Sequence, residues 1–302
     1  MTQTTPPTES PVSASQPKLP FEARKQPQPG LESDLQPQPH FEGAQYRPAG
    51  KLVGKVAIVT GGDSGIGRAV AVFYAREGAD VLITYLPEEQ QDADLTRQAI
   101  QATGRRCEQL AGDLRDSQFC KQVIQHALST LGAVNILVSN AAHQHRKLSL
   151  EEITDEEWDH TFQINVYAMF RVIKAALPHM KAGSAIIVTS SETGLFGSPQ
   201  LLDYSSTKGA INAFVKSLAN NVLPRGIRVN AVAPGPVWTP LNPADPGLSS
   251  ERVAEFGGKT PMKRPAQPEE IAPAYVFLAS DADSSFITGH VLPILGGKTT
   301  TG

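Results

Sequence analysis

Residues 60 to 67 read Thr60-Gly61-Gly62-Asp63-Ser64-Gly65-Ile66-Gly67, between an apolar run, Val56-Ala57-Ile58-Val59, and a helical pattern, Arg68-Ala69-Val70-Ala71-Val72-Phe73-Tyr74-Ala75. The order is strand, glycine turn, helix N-terminus. Glycines at 61, 65 and 67 let the backbone turn tightly and approach a ligand closely, while the helix's unpaired N–H groups and positive dipole end face an anion. A dinucleotide pyrophosphate suits such a cradle. An ordinary strand-to-helix turn with incidental glycines reads the same way, and the spacing G-x-x-x-G-x-G differs from the more familiar G-x-G-x-x-G. The loop alone leaves both readings open.

Downstream the same alternation repeats. Apolar strands are predicted over 56–60, 81–85, 106–111, 136–138, 185–189, 227–232 and 291–294. Helices are predicted over 68–77, 94–103, 117–131, 154–179, 205–223 and 269–279, with Gly78 and Gly104 at C-cap positions. Strands apolar on both faces, alternating with helices of ten or more residues, indicate a doubly wound α/β fold: about seven parallel strands with helices on both faces. Ligands of such folds bind beyond the carboxyl ends of the strands, where the strand order reverses.

Residues 1–50 are different. They hold 10 of the 24 prolines and 7 glutamines, with no period of 2 or 3.6. The expected division is a Pro/Gln-rich extension, partly disordered, over 1–50 and a Rossmann domain over 51–302. Within the extension, 1–25 reads as a tail. Pro29-Gly30-Leu31, Phe41 and Tyr46 instead suggest a stretch lying against the body or a neighbouring subunit; the alternative is a flexible tail throughout.

With 40 % hydrophobic residues and a formal charge of −3, the composition suits a globular protein and gives no reason to expect nucleic acid or a membrane surface as partner. No apolar run approaches a bilayer span, and the N-terminus lacks a signal-peptide pattern. Cys107 and Cys120 follow no metal or C-x-x-C spacing. The cytoplasm is the expected compartment, and no metal is expected.

Tyr204 and Lys208, four apart on one predicted helix, share a face. A phenol, with its ordinary pKa near 10, serves as an acid-base at neutral pH only when its anion is stabilised, which a nearby ammonium can do. Ser191 follows the fifth strand, where its hydroxyl could donate to a substrate carbonyl; Asn165 lies mid-helix with an amide that can orient water or a backbone carbonyl. Singly, each also reads as surface packing or a solvated group.

In combination these residues, with T-G-x-x-x-G-I-G at 60–67, Gly112-Asp113-Leu114, Ser139-Asn140-Ala141-Ala142 and Pro234-Gly235, resemble the short-chain dehydrogenase/reductase family over about residues 50–297. The interval from Ser191 to Tyr204 matches the family's. The proline-rich extension, the T-G-G-D-S-G-I-G-R-A loop and the L-L-D-Y-S-x-T-K stretch ending at Lys208 are similar to a subgroup described as general stress proteins or aldehyde and alcohol oxidoreductases.

The resemblance implies a hydride-transferring oxidoreductase using NAD or NADP on a small carbonyl or alcohol. It implies Tyr204 as general acid-base, Lys208 lowering its pKa and holding the nicotinamide ribose, Ser191 on the substrate oxygen and Asn165 holding a relay water. Cofactor contacts would come from Gly61, Asp63, Ser64, Gly65, Ile66 and Gly67. Tyr85, Asp113 and Leu114 would lie at the adenosine end, and Asn140 and Ala141 at the ribose side. Pro234, Gly235, Val237 and Thr239 would meet the carboxamide and pyrophosphate. It further implies a homotetramer built on the helices carrying Asn165 and Tyr204.

The cofactor clues conflict. Asp63 should repel a 2′-phosphate if it points that way, yet Tyr85 stands where NAD-specific members carry an aspartate. Ala142 replaces the usual glycine. The loop Trp238 to Pro265, with Gly247, Gly257 and Gly258 as hinges and Trp238, Leu241, Phe256 and Met262 as apolar lining, and the segment His143-Gln144-His145 are the expected substrate contacts; the histidines read equally as a solvated turn. A silent cofactor sensor is disfavoured by the intact Tyr204, Lys208, Ser191 and Asn165, an epimerase by the short C-terminal segment, and an enoyl reductase by the Tyr204-to-Lys208 spacing.

Overall fold

The structure is a computed structural model and describes residues 15–299. Its centre is one parallel sheet: β1 (Val56–Thr60), β2 (Asp80–Tyr85), β3 (Cys107–Ala111), β4 (Ile136–Ser139), β5 (Ala185–Thr189), β6 (Arg228–Pro234) and β7 (Val291–Ile294), in the order β3-β2-β1-β4-β5-β6-β7. The order reverses between β1 and β4, and the resulting crevice is where such sheets bind ligands. β1 is buried along its whole length, which is why it reads as an uninterrupted apolar run.

Seven longer helical segments matter here: α1 (Gly65–Arg76), α2 (Gln90–Gln101), α3 (Ser117–Thr130), α4 (Asp155–Phe162), α5 (Ala168–Ala176), α6 (Leu202–Val222) and α7 (Pro268–Ala279). α1 and α7 bury their apolar faces on one side of the sheet, and α3, α5 and α6 on the other. The helix predicted over 154–179 is interrupted: a π-helical turn, Gln163–Tyr167, separates α4 from α5. Thr154 and Glu157 form a capping box that starts α4. α6 begins three residues earlier than its pattern suggests. Cys107 and Cys120 are buried free thiols.

The extension is packed from its first described residues, which differs from the tail expected through Lys25; residues 1–14 of that tail lie outside the described residues. Phe21, Leu35, Trp238, Leu248 and Val253 form a third apolar cluster, and Phe21 meets Trp238 with ring centroids 4.5 Å apart. Burying a side chain of this size contributes roughly 1.5–3 kcal/mol. The backbone is tied too: Phe21 N donates to Ala254 O at 2.8 Å and Gln26 N to Pro243 O at 3.0 Å, while Trp238 Nε1 donates to Pro37 O at 2.8 Å. Further on, Tyr46 packs on Phe73. The extension therefore straps down the loop after β6. In that loop Gly247 is wedged against Arg146 O, where a Cβ would come within 2.0 Å, so it is a packing glycine and not a hinge. Met262 is exposed and lines nothing.

Candidate active site

A cleft of about 580 Å³ opens beyond the carboxyl ends of β1, β4, β5 and β6. Its upper wall is the glycine turn. Gly61 has φ +60°, and a Cβ on Gly67 would lie 1.8 Å from Gly61 O, so only glycine closes this turn. Gly67 consequently serves the turn from behind and does not line the cleft, whereas Gly61, Asp63, Ser64, Gly65 and Ile66 do. Ser64, at the N-cap of α1, makes no side-chain capping bond, so that residue leaves the helix's first N–H groups to other partners.

Gly65 departs from expectation. Its N–H is engaged by the carboxylate of Glu32, from the extension. Glu32 also accepts from Arg68 Nη1 at 2.6 Å, and its own N–H donates to Asp92. All three side chains are buried. Burial raises the Glu32 pKa to about 7 against the pull of Arg68 and the Gly65 N–H.

Tyr85, Asp113 and Leu114 line the cleft. The Tyr85 hydroxyl donates to Gln90 Oε1 at 2.8 Å, and Asp113 is held below the usual carboxylate range by Arg115. Asn140 Nδ2 donates to Gly61 O at 3.1 Å, and the Asn140 and Ala141 N–H groups both point at Thr60 Oγ1. The Asn140 side chain thus ties the glycine turn to β4. Pro234, Gly235, Val237 and Thr239 form the opposite wall, with Thr239 against Gly65.

At the floor, Ser191, Tyr204 and Lys208 come together. The Ser191 hydroxyl accepts from Thr193 N at 3.1 Å and Thr193 Oγ1 at 3.2 Å; burial pushes the neighbouring Tyr204 phenol up to about 12, with Ser191 and Arg146 pulling it down. Lys208 is driven down to about 7 by burial. Its ammonium donates to Thr189 O at 2.8 Å and sits 5.3 Å from the Tyr204 ring centroid. The lysine therefore lies over the ring and not at the oxygen, and the cation that eases Tyr204 ionisation here is Arg146. Asn165 lies in the π turn and does not line the cleft. Its Nδ2 donates to His143 O at 2.9 Å and to Thr207 Oγ1 at 3.1 Å, and its Oδ1 accepts from His143 N at 2.8 Å. Both amide hydrogens are engaged, so at this side chain a relay water would find only a lone pair of Oδ1.

His143 and Gln144 line the cleft, together with Arg146. Burial lowers the His143 pKa to about 4, so it is neutral at pH 7. Gln144 Nε2 donates to Asp245 Oδ2 at 3.0 Å, and Arg146 forms an ion pair with the same carboxylate. His145 instead pairs with Glu157 at 3.2 Å. Among the described residues no group of three or more His, Cys, Asp or Glu is arranged to hold a metal ion.

Glu32, Glu89, Arg146 and the segment Gln28-Pro29-Gly30 belong to the site or its support without appearing in any motif. One signal points toward Glu32. Arg68 interrupts a helix that is otherwise apolar, and a charge so placed needs a buried partner.

The glycine turn at the N-terminus of α1 and an unpartnered buried oxygen on Asp63 fit a dinucleotide, and a Ser, Tyr and Lys at the far end of the same cleft define the site of an oxidoreductase. The family model described as enoyl-(acyl carrier protein) reductase matches residues 61–299. General stress protein 39 of Bacillus subtilis is 48 % identical over 289 residues, covering 95 % of this chain and 99 % of that protein. NADPH-dependent aldehyde reductase 1, chloroplastic, of Arabidopsis thaliana is 45 % identical over 282 residues, 91 % of this chain and 97 % of that one. The crystal structure of a short chain dehydrogenase from Burkholderia cenocepacia in complex with NADP superposes with a TM-score of 0.74 at 31 % identity, covering 82 % of this chain and 98 % of that chain. The chain belongs to the short-chain dehydrogenase/reductase family.

Proposed function

We propose that this oxidoreductase moves a hydride between NAD(H) or NADP(H) and a small aldehyde, ketone, sugar or polyol, with Tyr204 as general acid-base. The observation that carries the proposal is the Tyr204 phenol, with Ser191 and Lys208 beside it, at the floor of a cleft whose upper wall is the glycine turn. When bound, the nicotinamide supplies or accepts the hydride. The dinucleotide would lie along Ser64, Ile66, Asp113, Leu114 and the Pro234 to Thr239 wall. In reduction Tyr204 gives its proton to the carbonyl oxygen, and Ser191 donates to that oxygen as charge develops. In oxidation both steps reverse. Lys208 holds the ribose hydroxyls, and the Arg146 cation favours the tyrosinate once it forms. Asn165 holds the His143 backbone, and with it one wall of the substrate end.

The proposal is tested by nicotinamide absorbance against a panel of aldehydes, ketones, sugars and polyols. An enoyl thioester belongs in the panel because the matched family model carries that description.

We also propose a homotetramer formed across α4, α5 and α6. Trp158, Tyr167 and Phe170 are large and exposed there, at 38 %, 44 % and 43 %, while Val172, Ile211 and Val215 face the sheet. Sedimentation at micromolar concentration should give a tetramer; a monomer would rule this assembly out. The cytoplasm is the proposed compartment, supported by the two buried free thiols.

A further inference from the structure

We infer that Arg146 is a substrate-recognition residue: one edge of its guanidinium is kept free in the cleft to bind a carboxylate, so the preferred substrate is a small carbonyl or alcohol that also carries a carboxylate group. The inference deepens the oxidoreductase reading and rests on it.

Arg146 lines the same cleft as Ser191 and Tyr204, and its charge is near enough to act on the Tyr204 phenol. It is held from one side only. Its backbone N–H donates to Asp245 Oδ1 at 2.9 Å, and its Nη1 donates to Oδ2 of the same carboxylate. Asp245 is fully buried and is itself fixed by Gln144 Nε2 and by Gly247 N, each at 3.0 Å. The guanidinium is therefore oriented before a substrate arrives. Its Nε and Nη2 form no hydrogen bond among the described residues. Those two nitrogens make up the edge of the planar group that takes the two oxygens of a carboxylate side by side.

Arginines that serve packing in this chain behave differently. Arg68 donates through Nε, Nη1 and Nη2, and so does Arg228. Arg115, which also lines the cleft, puts its Nε and Nη2 on Asp113 at 2.8 and 2.6 Å. The Arg146 side chain is only 13 % exposed, and N–H groups so placed cost free energy until they meet an acceptor. The surroundings favour an anionic one. Burial keeps His143 neutral, Glu157 is matched by Lys147 at 2.6 Å, and Glu192 by Lys298 at 3.3 Å. Asp203 accepts from Thr161 Oγ1 at 2.6 Å and does not line the cleft. Arg252 adds a second positive charge beside Arg146, and its Nη1 donates to the neutral Gln200 Oε1 at 2.7 Å. A substrate carboxylate on this edge is a handle. It takes no part in the hydride or proton transfer and orients the carbonyl toward Tyr204.

Steady-state kinetics with ω-carboxy aldehydes of increasing chain length, each beside its methyl ester, reads the preference as a ratio of kcat/KM. At least one acid should exceed its ester by at least about tenfold. Arg146→Lys keeps a cation for Asp245 and loses the fork, and the double variant Arg146→Gln with Asp245→Asn removes both charges of the pair together. Either variant lowers turnover of acid and ester alike as far as Arg146 assists Tyr204, and the ratio cancels that loss. In both it should fall to within about twofold of one, mainly through KM of the acid. A parent ratio near one for every pair, or a ratio the variants leave unchanged, overturns the inference. Calorimetric titration of the full chain with butanoate and with butanamide, at saturating NAD⁺ or NADP⁺, needs no turnover. Butanoate should bind at least about tenfold tighter than butanamide, and Arg146→Lys should remove the difference. Equal binding of the two by the parent overturns the inference. Arg146-dependent butanoate binding by a chain that reduces no carbonyl would uphold the carboxylate subsite and overturn the oxidoreductase reading instead.

Discussion

Tyr204→Phe is expected to lower turnover by about 10²–10⁴-fold while leaving the dinucleotide dissociation constant within about twofold of the parent. The substitution removes one oxygen and keeps the ring, which is only 8 % exposed and packed over Lys208, so the fold has no reason to change. What disappears is the group that moves the proton. Phenols elsewhere in the chain cannot take over: burial raises Tyr74 and Tyr275 further above their ordinary value, and the Tyr275 hydroxyl is committed to Thr189 at 2.7 Å. Steady-state kinetics and a binding titration on the same preparation separate the two effects. Full activity in Tyr204→Phe would move the acid-base role to another group.

Glu32→Ala should destabilise the chain by about 3 kcal/mol, because it leaves the buried Arg68 guanidinium without its nearest carboxylate and the Gly65 N–H without an acceptor. Asp92 remains 3.4 Å from Arg68 and limits the loss. Chemical denaturation reads this directly. Glu32→Gln, which keeps an acceptor, should lose less and carries a pH signature. The Glu32 carboxyl has its folded pKa raised from 4.5 to about 7 by burial, so between those values the folded chain holds a proton that the unfolded chain has released. Stability from this group is complete below about pH 4.5 and falls as pH rises through 7. The advantage of the parent over Glu32→Gln should therefore shrink from pH 5 to pH 8. An advantage that grows with pH would show the ionised pair to be the favoured state.

The architecture was legible because β1 and its neighbours are covered on both faces, which forces apolar runs, and because α3 and α6 each present one apolar face at helical spacing. Ser191, Tyr204 and Lys208 were legible because their spacing is set by one strand end and one helix. The extension was legible only in part: Phe41 and Tyr46 mark a stretch that packs on the body, but nothing marks where the segment before it docks. Its contacts reach 33 residues from Glu32 to Gly65 and 253 from Gln16 to Glu269, and a proline-stiffened segment with a single short 3₁₀ turn among its described residues, Glu32–Asp34, carries no period that reports where it docks. The break at Gln163–Tyr167 was hidden for a different reason. The stretch has no Gly or Pro to mark a break, and the π turn goes with tertiary contacts of Asn165 to His143 and Thr207 that no local pattern reports. Arg146 carries no local signal in the sequence, because only the folded loop aligns it with Asp245 and Tyr204.

Hydride transfer itself can be followed with reduced cofactor deuterated at the transferring position of C4, offered with a carbonyl substrate found in the panel. Product alcohol carrying deuterium on the former carbonyl carbon, formed by the parent and lost in Tyr204→Phe, is the predicted result. Product without deuterium on that carbon, or cofactor binding with no hydride transfer to any aldehyde, ketone or sugar, would contradict it.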